Sequence, residues 1–366
     1  MALHIGIIGL PNVGKSTMFN ILTRTRAAES ANYPFCTIEP NRAIVPVPDQ
    51  RLQQIAAIAK PQKVTPATVE FVDIAGLVKG ASRGEGLGNK FLANVRDADA
   101  LLHVVRCFED ENIAHVDGSI DPVRDIETIE TELLLADIQT LESRLERLQK
   151  NARADKSLAT VAAVAETLLE HLNSGRPASM FTDRESKAAV ELFRDLRLLT
   201  DKPVIFCANA GEEALSAATV QVEAVRAHAE KAGNQAVVVS ARMEEELCEM
   251  NNEERTEFLT SYGIAESGLD QTIRLGYAAL GLISYITAGP KEVRAWTIHR
   301  GWTAPRAAGI IHTDFERGFI RAQVIAFDDF IACNGETGAR AAGLMRTEGR
   351  DYVVKDGDVI EFLFNV

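Results

Sequence analysis

The sequence predicts an α/β protein: a mostly parallel sheet wrapped by helices, interrupted by a long helical insert and followed by a small α+β domain. Three observations carry this prediction. Short apolar, β-branched runs at residues 4–9, 68–74, 100–105, 203–208 and 236–239 alternate with helical or loop sequence, as strands do when crossovers return each one to the same end of a sheet. Residues 126–199 break the alternation with long stretches rich in Ala, Leu, Glu and Arg. After Gly289-Pro290, short β-type runs with frequent Gly turns take over.

Taken in order, the first run leads into a glycine loop, and residues 16–24 then carry apolar side chains at helical spacing, so the chain opens as strand, loop, helix. In the insert, Leu134, Ile138, Leu141, Leu145 and Leu148 form one stripe. Leu158, Val161, Val164, Ala165, Leu168 and Leu172 form a second, after a break at 151–156. Two antiparallel helices packed along these stripes, a helical coiled coil, are the economical reading. Strand-like sequence resumes at Pro203, so the insert interrupts the first domain. The last domain shows runs at 293–299, 318–326, 351–354 and 359–364. The expected organisation is a nucleotide-binding domain at 1–125 and 200–280, a helical insert at 126–199 and a small C-terminal domain at 281–366.

A chain of 366 residues with 46% hydrophobic and 25% charged residues can bury a sizeable core. Its formal charge of −13 argues against a wholly electrostatic nucleic-acid binder, although a local basic face is compatible with it. Cys36, Cys107, Cys207, Cys248 and Cys333 lack metal-ligand spacing, which points to reduced thiols rather than disulfides or zinc. No segment approaches the roughly 20 apolar residues that cross a bilayer, and no basic region precedes a cleavage site. The expectation is a cytoplasmic protein with no membrane or DNA partner.

Gly9-Leu10-Pro11-Asn12-Val13-Gly14-Lys15-Ser16 satisfies G-x-x-x-x-G-K-[ST] between a predicted strand and a predicted helix, the context that confirms a phosphate-binding loop. Its glycines let backbone N–H groups close around phosphates, Lys15 reaches the β and γ oxygens, and the Ser16 hydroxyl can ligate Mg²⁺. Asn12, Val13, Gly14, Lys15, Ser16 and Thr17 are therefore expected to hold a nucleotide. Asp73-Ile74-Ala75-Gly76 matches the D-x-x-G of GTPase-type P-loop NTPases, with Asp73 on Mg²⁺ through water and the Gly76 N–H on the γ-phosphate. Thr37, between two prolines that keep the stretch from being helical, stands where a switch threonine would complete the metal shell.

The base-reading segment is where the sequence becomes specific. A guanine reader shows N-K-x-D after its strand; here the residues are Asn209-Ala210-Gly211-Glu212. A short Asp accepts the two N–H donors of guanine, whereas adenine offers an acceptor at N1 and no amine at C2. Glu212 displaces the carboxylate and Ala210 removes the lysine cover. Asn209 keeps an amide able to meet N7 or an exocyclic amine. The plainer alternative is that Asn209 and Glu212 cap the next helix. Ser240 and Ala241 fall where such folds place their last base-contacting loop. The water-orienting Gln of the Ras-like scheme is replaced by Leu77, which cannot hydrogen-bond. His115, in a loop-like stretch, could position water instead, and Asn12 could hold a K⁺ whose charge acts as an arginine finger does. His103, in an apolar run, reads as a core histidine.

These segments resemble the YchF family of Obg-like ATPases. The resemblance is carried by GLPNVGKST (9–17), NYPFCTIEPN (32–41), FVDIAGLVKGASRGEGLG (71–88) and the stretches 291–330 and 351–366, and it spans nearly the whole chain. It implies an altered N-x-x-E base motif on Asn209 and Glu212, a hydrophobic replacement of the catalytic Gln on Leu77 and a catalytic histidine on His115. It also implies a coiled-coil insert, a C-terminal ubiquitin-like TGS domain, ATP hydrolysis stimulated by K⁺, and association with the ribosome through the insert and the TGS-like domain. One departure is Ala210-Gly211, where the family carries bulkier residues, so less side chain would cover the base. Arg294, Arg300, Arg306, Arg317 and Arg321 are candidate RNA contacts, with a solvated face as the plainer reading. A conventional GTPase, and a ribosome-binding module in which turnover is secondary, remain the competing readings.

Overall fold

A computed structural model describes residues 3–30, 41–74, 87–110, 113, 118–152, 155 and 157–365. The chain begins β1 (His4–Ile8), α1 (Lys15–Ser30), β2 (Arg42–Pro46), α2 (Gln50–Ala59), β3 (Lys63–Thr65), β4 (Thr68–Asp73), α3 (Leu87–Asp97) and β5 (Ala100–Arg106). Then come α4 (Pro122–Asn151), α5 (Ser157–Asn173), α6 (Lys187–Leu196), β6 (Val204–Asn209), α7 (Glu213–Ser216), α8 (Val220–Lys231) and β7 (Gln235–Val239). These are followed by α9 (Ala241–Leu247), α10 (Asn252–Ser261), α11 (Gly268–Ala279), β8 (Leu282–Ala288), β9 (Glu292–His299), α12 (Ala304–Ala308) and α13 (Thr313–Arg317). The chain closes with β10 (Phe319–Ile325), α14 (Phe327–Ala332), α15 (Glu336–Ala341), β11 (Arg346–Glu348) and β12 (Val359–Phe364).

Two compact units result, Met1–Ala43 with Glu70–Thr272 and Ile44–Val69 with Ile273–Val366. The first holds a sheet in the order β2-β4-β1-β5-β6-β7. β1 pairs in parallel with β4 and β5, β5 with β6, and β6 with β7. All residues of β5 are buried, as a strand covered by helices on both faces requires. Strand order reverses at β1, with β4 on one side and β5 on the other. Open parallel sheets bind ligands beyond the carboxyl ends of the strands at such a switch point.

The two predicted stripes meet: Leu141, Leu148, Val161, Val164, Ala165, Leu168 and Leu172 are buried together, with Leu134, Ile138, Leu145 and Leu158 packed against them. The expected break at 151–156 separates α4 from α5. The expectation of two helices needs correction, because α6 contributes Ala188, Ala189, Leu192 and Leu196 to the same core. Asp121 starts α4, accepting from Arg124 N, with Pro122 in the first turn where its missing N–H does no harm. Asp137, 0% exposed in α4, accepts from the backbone N of Leu199 and Thr200 and from the Thr200 hydroxyl, at 2.8, 2.8 and 2.7 Å. Burial pushes its carboxyl up and these donors pull it back.

The second unit carries a sheet in the order β11-β10-β12-β8-β9-β3. β8 with β9, and β10 with both β11 and β12, are antiparallel, while β3 with β9 and β12 with β8 are parallel. Tyr285, Ile298, Phe319, Val324, Ile360 and Phe362 centre its core. The stretch that carries α2 and β3, expected within the nucleotide domain, belongs to this unit instead, β3 joining β9 through the register Lys63↔Glu292 to Thr65↔Arg294. The expected strand at 351–354 reduces to one bridge, Thr303 to Val353. Among the described residues Cys107, Cys207, Cys248 and Cys333 are free thiols, and no helix is long and apolar enough to cross a membrane. Cys36 lies outside the described residues.

Asp137→Ala removes one acceptor from three interior donors and is expected to lower stability by about 2–3 kcal/mol. A reduced urea midpoint, followed by circular dichroism, would show it; an unchanged midpoint would mean that the carboxylate does not anchor the insert.

Candidate nucleotide site

β1 delivers the chain into residues 9–14, where φ is positive at Gly9 (154°), Asn12 (63°) and Gly14 (100°). Consecutive turns of this kind point backbone N–H groups into one concavity, which suits an anion. α1 follows at once, its ladder starting with Met18 N to Gly14 O at 2.9 Å, so its unsatisfied N–H groups and positive dipole end face the same space. Lys15 is only 8% exposed and donates from Nζ to Leu10 O at 2.5 Å. Burial lowers its pKa to about 8, and the nearby Asp73 carboxylate holds it from falling further.

Asp73 ends β4 and pairs with Ile7, which sets it beside the end of β1. Burial pushes its carboxyl up and Lys15 draws it down. Ser16 is exposed in the first turn of α1, Thr17 half-buried, Val13 buried and Asn12 exposed. Ser16 and Asp73 supply a hydroxyl and a carboxylate, hard oxygen donors of the kind Mg²⁺ takes. Among the described residues no three His, Cys, Asp or Glu side chains cluster as a metal cage. A cation that shares its shell with phosphates and water has no need of one.

The base-side loops converge on Asn209. Only 3% exposed, it donates from Nδ2 to Val13 O at 3.0 Å and accepts at Oδ1 from Ala241 N at 3.3 Å. It thus bridges the phosphate loop and the first residue of α9 instead of capping the next helix, α7. Gly14 makes room for it, since a Cβ there would lie 2.3 Å from Asn209 Nδ2. Ser240 is buried and caps α9 through Met243 N. Ala210, 4% exposed, packs with Val105, Phe206 and Ala214, so its methyl belongs to the core rather than to a pocket wall. Glu212 precedes α7 without any side-chain capping bond and is half-buried.

Thr37, Gly76, Leu77 and His115 lie outside the described residues. His103 is the core histidine expected: buried against Phe206 at 5.5 Å between rings, its pKa is driven down to about 3 by burial, so it is neutral. Two residues escaped sequence reasoning. Arg106, 2% exposed at the end of β5, donates to the carbonyls of Phe108, Asp110 and Ile113 at 3.1, 3.2 and 3.0 Å, so three carbonyls share one buried guanidinium. A charged residue closing an apolar run was the available signal. Tyr262, whose hydroxyl donates to Glu212 Oε2 at 3.4 Å across 50 residues of sequence, left no signal at all.

Comparison with known proteins agrees with this geometry. Residues 4–138 match the family model MMR_HSR1, a 50S ribosome-binding GTPase, and residues 282–365 match YchF-GTPase_C, a protein of unknown function (DUF933). The chain is 54% identical to the ribosome-binding ATPase YchF of Escherichia coli O157:H7 and 51% identical to that of Bacillus subtilis strain 168, each over 100% of both chains. A solved structure of the Schizosaccharomyces pombe YchF GTPase superposes with a TM-score of 0.88 at 39% identity, covering 99% of this chain and 97% of that one. A GTP-binding protein from Pyrococcus horikoshii OT3, at 21% identity and a TM-score of 0.61, covering 99% and 100%, shares the fold.

The lowered pKa of Lys15 sets a pH dependence for phosphate ligands. An anion favours the ammonium, so the bound state holds at least as many protons as the free one. Below about pH 8 the free lysine is already charged and affinity is flat on this account; above it each binding event takes up a proton, and affinity falls by up to about tenfold per unit. Calorimetry with a nucleoside triphosphate at about pH 9, in two buffers of different ionisation heat, should register that uptake; equal heats would contradict the assignment.

Proposed function

Because the chain belongs to the YchF family, we propose that it is a Mg²⁺-dependent switch that binds and hydrolyses ATP in preference to GTP and works on the ribosome. The observation that carries the nucleotide preference is Glu212, standing where a guanine reader has Asp, on a loop whose first residue is clamped by two buried hydrogen bonds. With Asn209 immobile, a longer carboxylate cannot occupy the place of a shorter one by sliding the loop. The curated relatives are named ATPases and the fission-yeast relative a GTPase, so a conventional GTPase is the reading to be beaten.

In this account Lys15 and the loop amides hold the β- and γ-phosphates. Ser16 would hold Mg²⁺ through its hydroxyl and Asp73 through water, and an ion held there would supply positive charge to the phosphate oxygens. Lys15 supplies a second positive charge from inside a desolvated wall, where it is worth more than in water. Thr37 and Gly76 are proposed to sense the γ-phosphate, His115 to position the attacking water, and Asn12 to hold K⁺. The ribosomal half rests on the names of the relatives and on the second unit's surface. Arg300, Arg317 and Arg321 are exposed, and the Arg306 guanidinium lies 4.0 Å from the Trp302 ring centre. Exposed guanidinium groups beside an aromatic face suit RNA, which offers phosphates and bases together. The helical insert and a TGS-like second unit are the proposed contacts, and a ribosomal partner implies a cytoplasmic protein.

In a competition titration ATP should displace a labelled adenine nucleotide at lower concentration than GTP, and Glu212→Asp should narrow that gap by roughly fivefold. Ala210 is left alone because a lysine there would enter the core. GTP competing as well as ATP would overturn the preference.

Sedimentation with ribosomes tests the partner. The wild-type chain should pellet with them at low salt, progressively less as salt rises, and Lys15→Ala should change how nucleotide affects the bound fraction. No co-sedimentation with any nucleotide at low salt would remove the ribosome from the proposal.

A further inference from the structure

The residues around Glu212 form a support that the phosphate machinery does not use. α10 opens with a reciprocal capping box, Asn251 accepting from Glu254 N while Glu254 accepts from Asn251 N. It closes on Tyr262 with Gly263 at φ 71°, Gly263 N donating to Thr260 O at 2.9 Å and Ile264 N to Leu259 O at 2.9 Å. That pair of bonds is a Schellman ending, which needs the left-handed glycine and brings Ile264 back onto Leu259. Both side chains join Met243, Leu247 and Phe258 in one apolar cluster, to which α7 adds Leu215. The short helix that follows Glu212 and the helix that ends at Tyr262 are therefore parts of one packed body. The Tyr262 ring rests 5.1 Å from that of Phe258, and its hydroxyl reaches Glu212 Oε2 at 3.4 Å.

We propose that Tyr262 is a positioning residue for base selection: its phenol holds the Glu212 carboxylate out of the two-pronged posture that guanine requires. This rests on the reading of Glu212 as the base-facing residue. Guanine presents two parallel N–H donors, which a carboxylate satisfies best with both oxygens at once. A carboxylate turned so that one oxygen meets a phenol O–H keeps lone pairs on both oxygens, but its plane is then set by the phenol and not by the base edge, so it meets two parallel donors less squarely. Adenine asks for no such pair, so the phenol penalises GTP and leaves ATP nearly untouched, selection by a disfavoured alternative rather than by a new attraction. Glu212 is available for this because its side chain makes no capping bond at the start of α7, and Tyr262, though 37% exposed, can direct it because the helix ending sets its backbone and its ring rests on Phe258.

The test is a double-mutant cycle on the ratio of ATP to GTP dissociation constants, for the full-length wild type, Tyr262→Phe, Glu212→Ala and the double variant. Phenylalanine keeps the ring on Phe258 and removes only the hydroxyl, so a merely structural role would leave the ratio in place. Tyr262→Phe should shift the ratio toward GTP by about fivefold, the size of one lost hydrogen bond, and the shift should vanish when Glu212 is already alanine. If Glu212→Ala changes the ratio and Tyr262→Phe does not, Glu212 reads the base but Tyr262 does not direct it, and the inference falls alone. An equal Tyr262→Phe shift with and without Glu212 also overturns it, since the effect would bypass the carboxylate. If Glu212→Ala leaves the ratio unchanged, the base reading itself fails and takes the inference with it.

Discussion

Asn209 has an amide hydrogen aimed at the phosphate loop and a carbonyl oxygen aimed at the start of α9, and each has a partner. All three groups are buried, so none can turn to water if a partner moves, and an interior polar group left alone costs about 1–3 kcal/mol. The side chain is thereby locked in one orientation. It also dictates Gly14, because the space a Cβ would need is already filled by the Asn209 amide nitrogen. A sequence constraint near the amino terminus and another some two hundred residues later are one constraint seen from two sides.

What allows a single side chain to reach so far is the parallel sheet. β1, β4, β6 and β7 run the same way, so the phosphate loop, Asp73, Asn209 and Ser240 all emerge at one end, and the reversal of strand order at β1 opens a crevice there. The electrostatics follow from the same placement. Lys15 and Asp73 are each disfavoured in charged form by burial and favoured by the other, so the pair keeps a buried cation near neutrality of charge until an anion with more negative charge competes for it. A lysine on an exposed loop would need no such partner and would lose most of its attraction to solvent screening.

Local structure was legible in the sequence; long-range packing was not. The strand, loop and helix around residues 9–14, the strand that ends at Asp73 and the two helical stripes could be read because each is a run of neighbours whose spacing encodes a shape. β3 could not: three residues between Pro61 and Pro66 gain strand geometry only from β9, more than two hundred residues later, aided by Thr65 Oγ1 donating to Glu292 at 2.5 Å. α6 was hidden because its apolar face completes a core that two stripes seemed to close by themselves. The run at 351–354 has the composition of a strand yet finds a single bridge, to Thr303. Tyr262 belongs with these failures, because nothing about a tyrosine after a polar helix announces a carboxylate 50 residues away.

The Ala210-Gly211 pair, which stands where a guanine reader's motif has its lysine and the residue after it, also takes on a physical meaning. Ala210 is small because it is packed inside the first unit, between β5, β6 and α7, so bulk at that position would have to displace core rather than cover a base. Gly211 is under no comparable restraint: its φ is not in the left-handed region, and the atoms nearest to a Cβ there are the flexible carboxylate end of Glu213. One of the two substitutions is thus enforced by packing and the other is not. On the proposed reading, a base edge without lysine cover leaves discrimination to groups that can approach from the side, of which Glu212 is the one proposed.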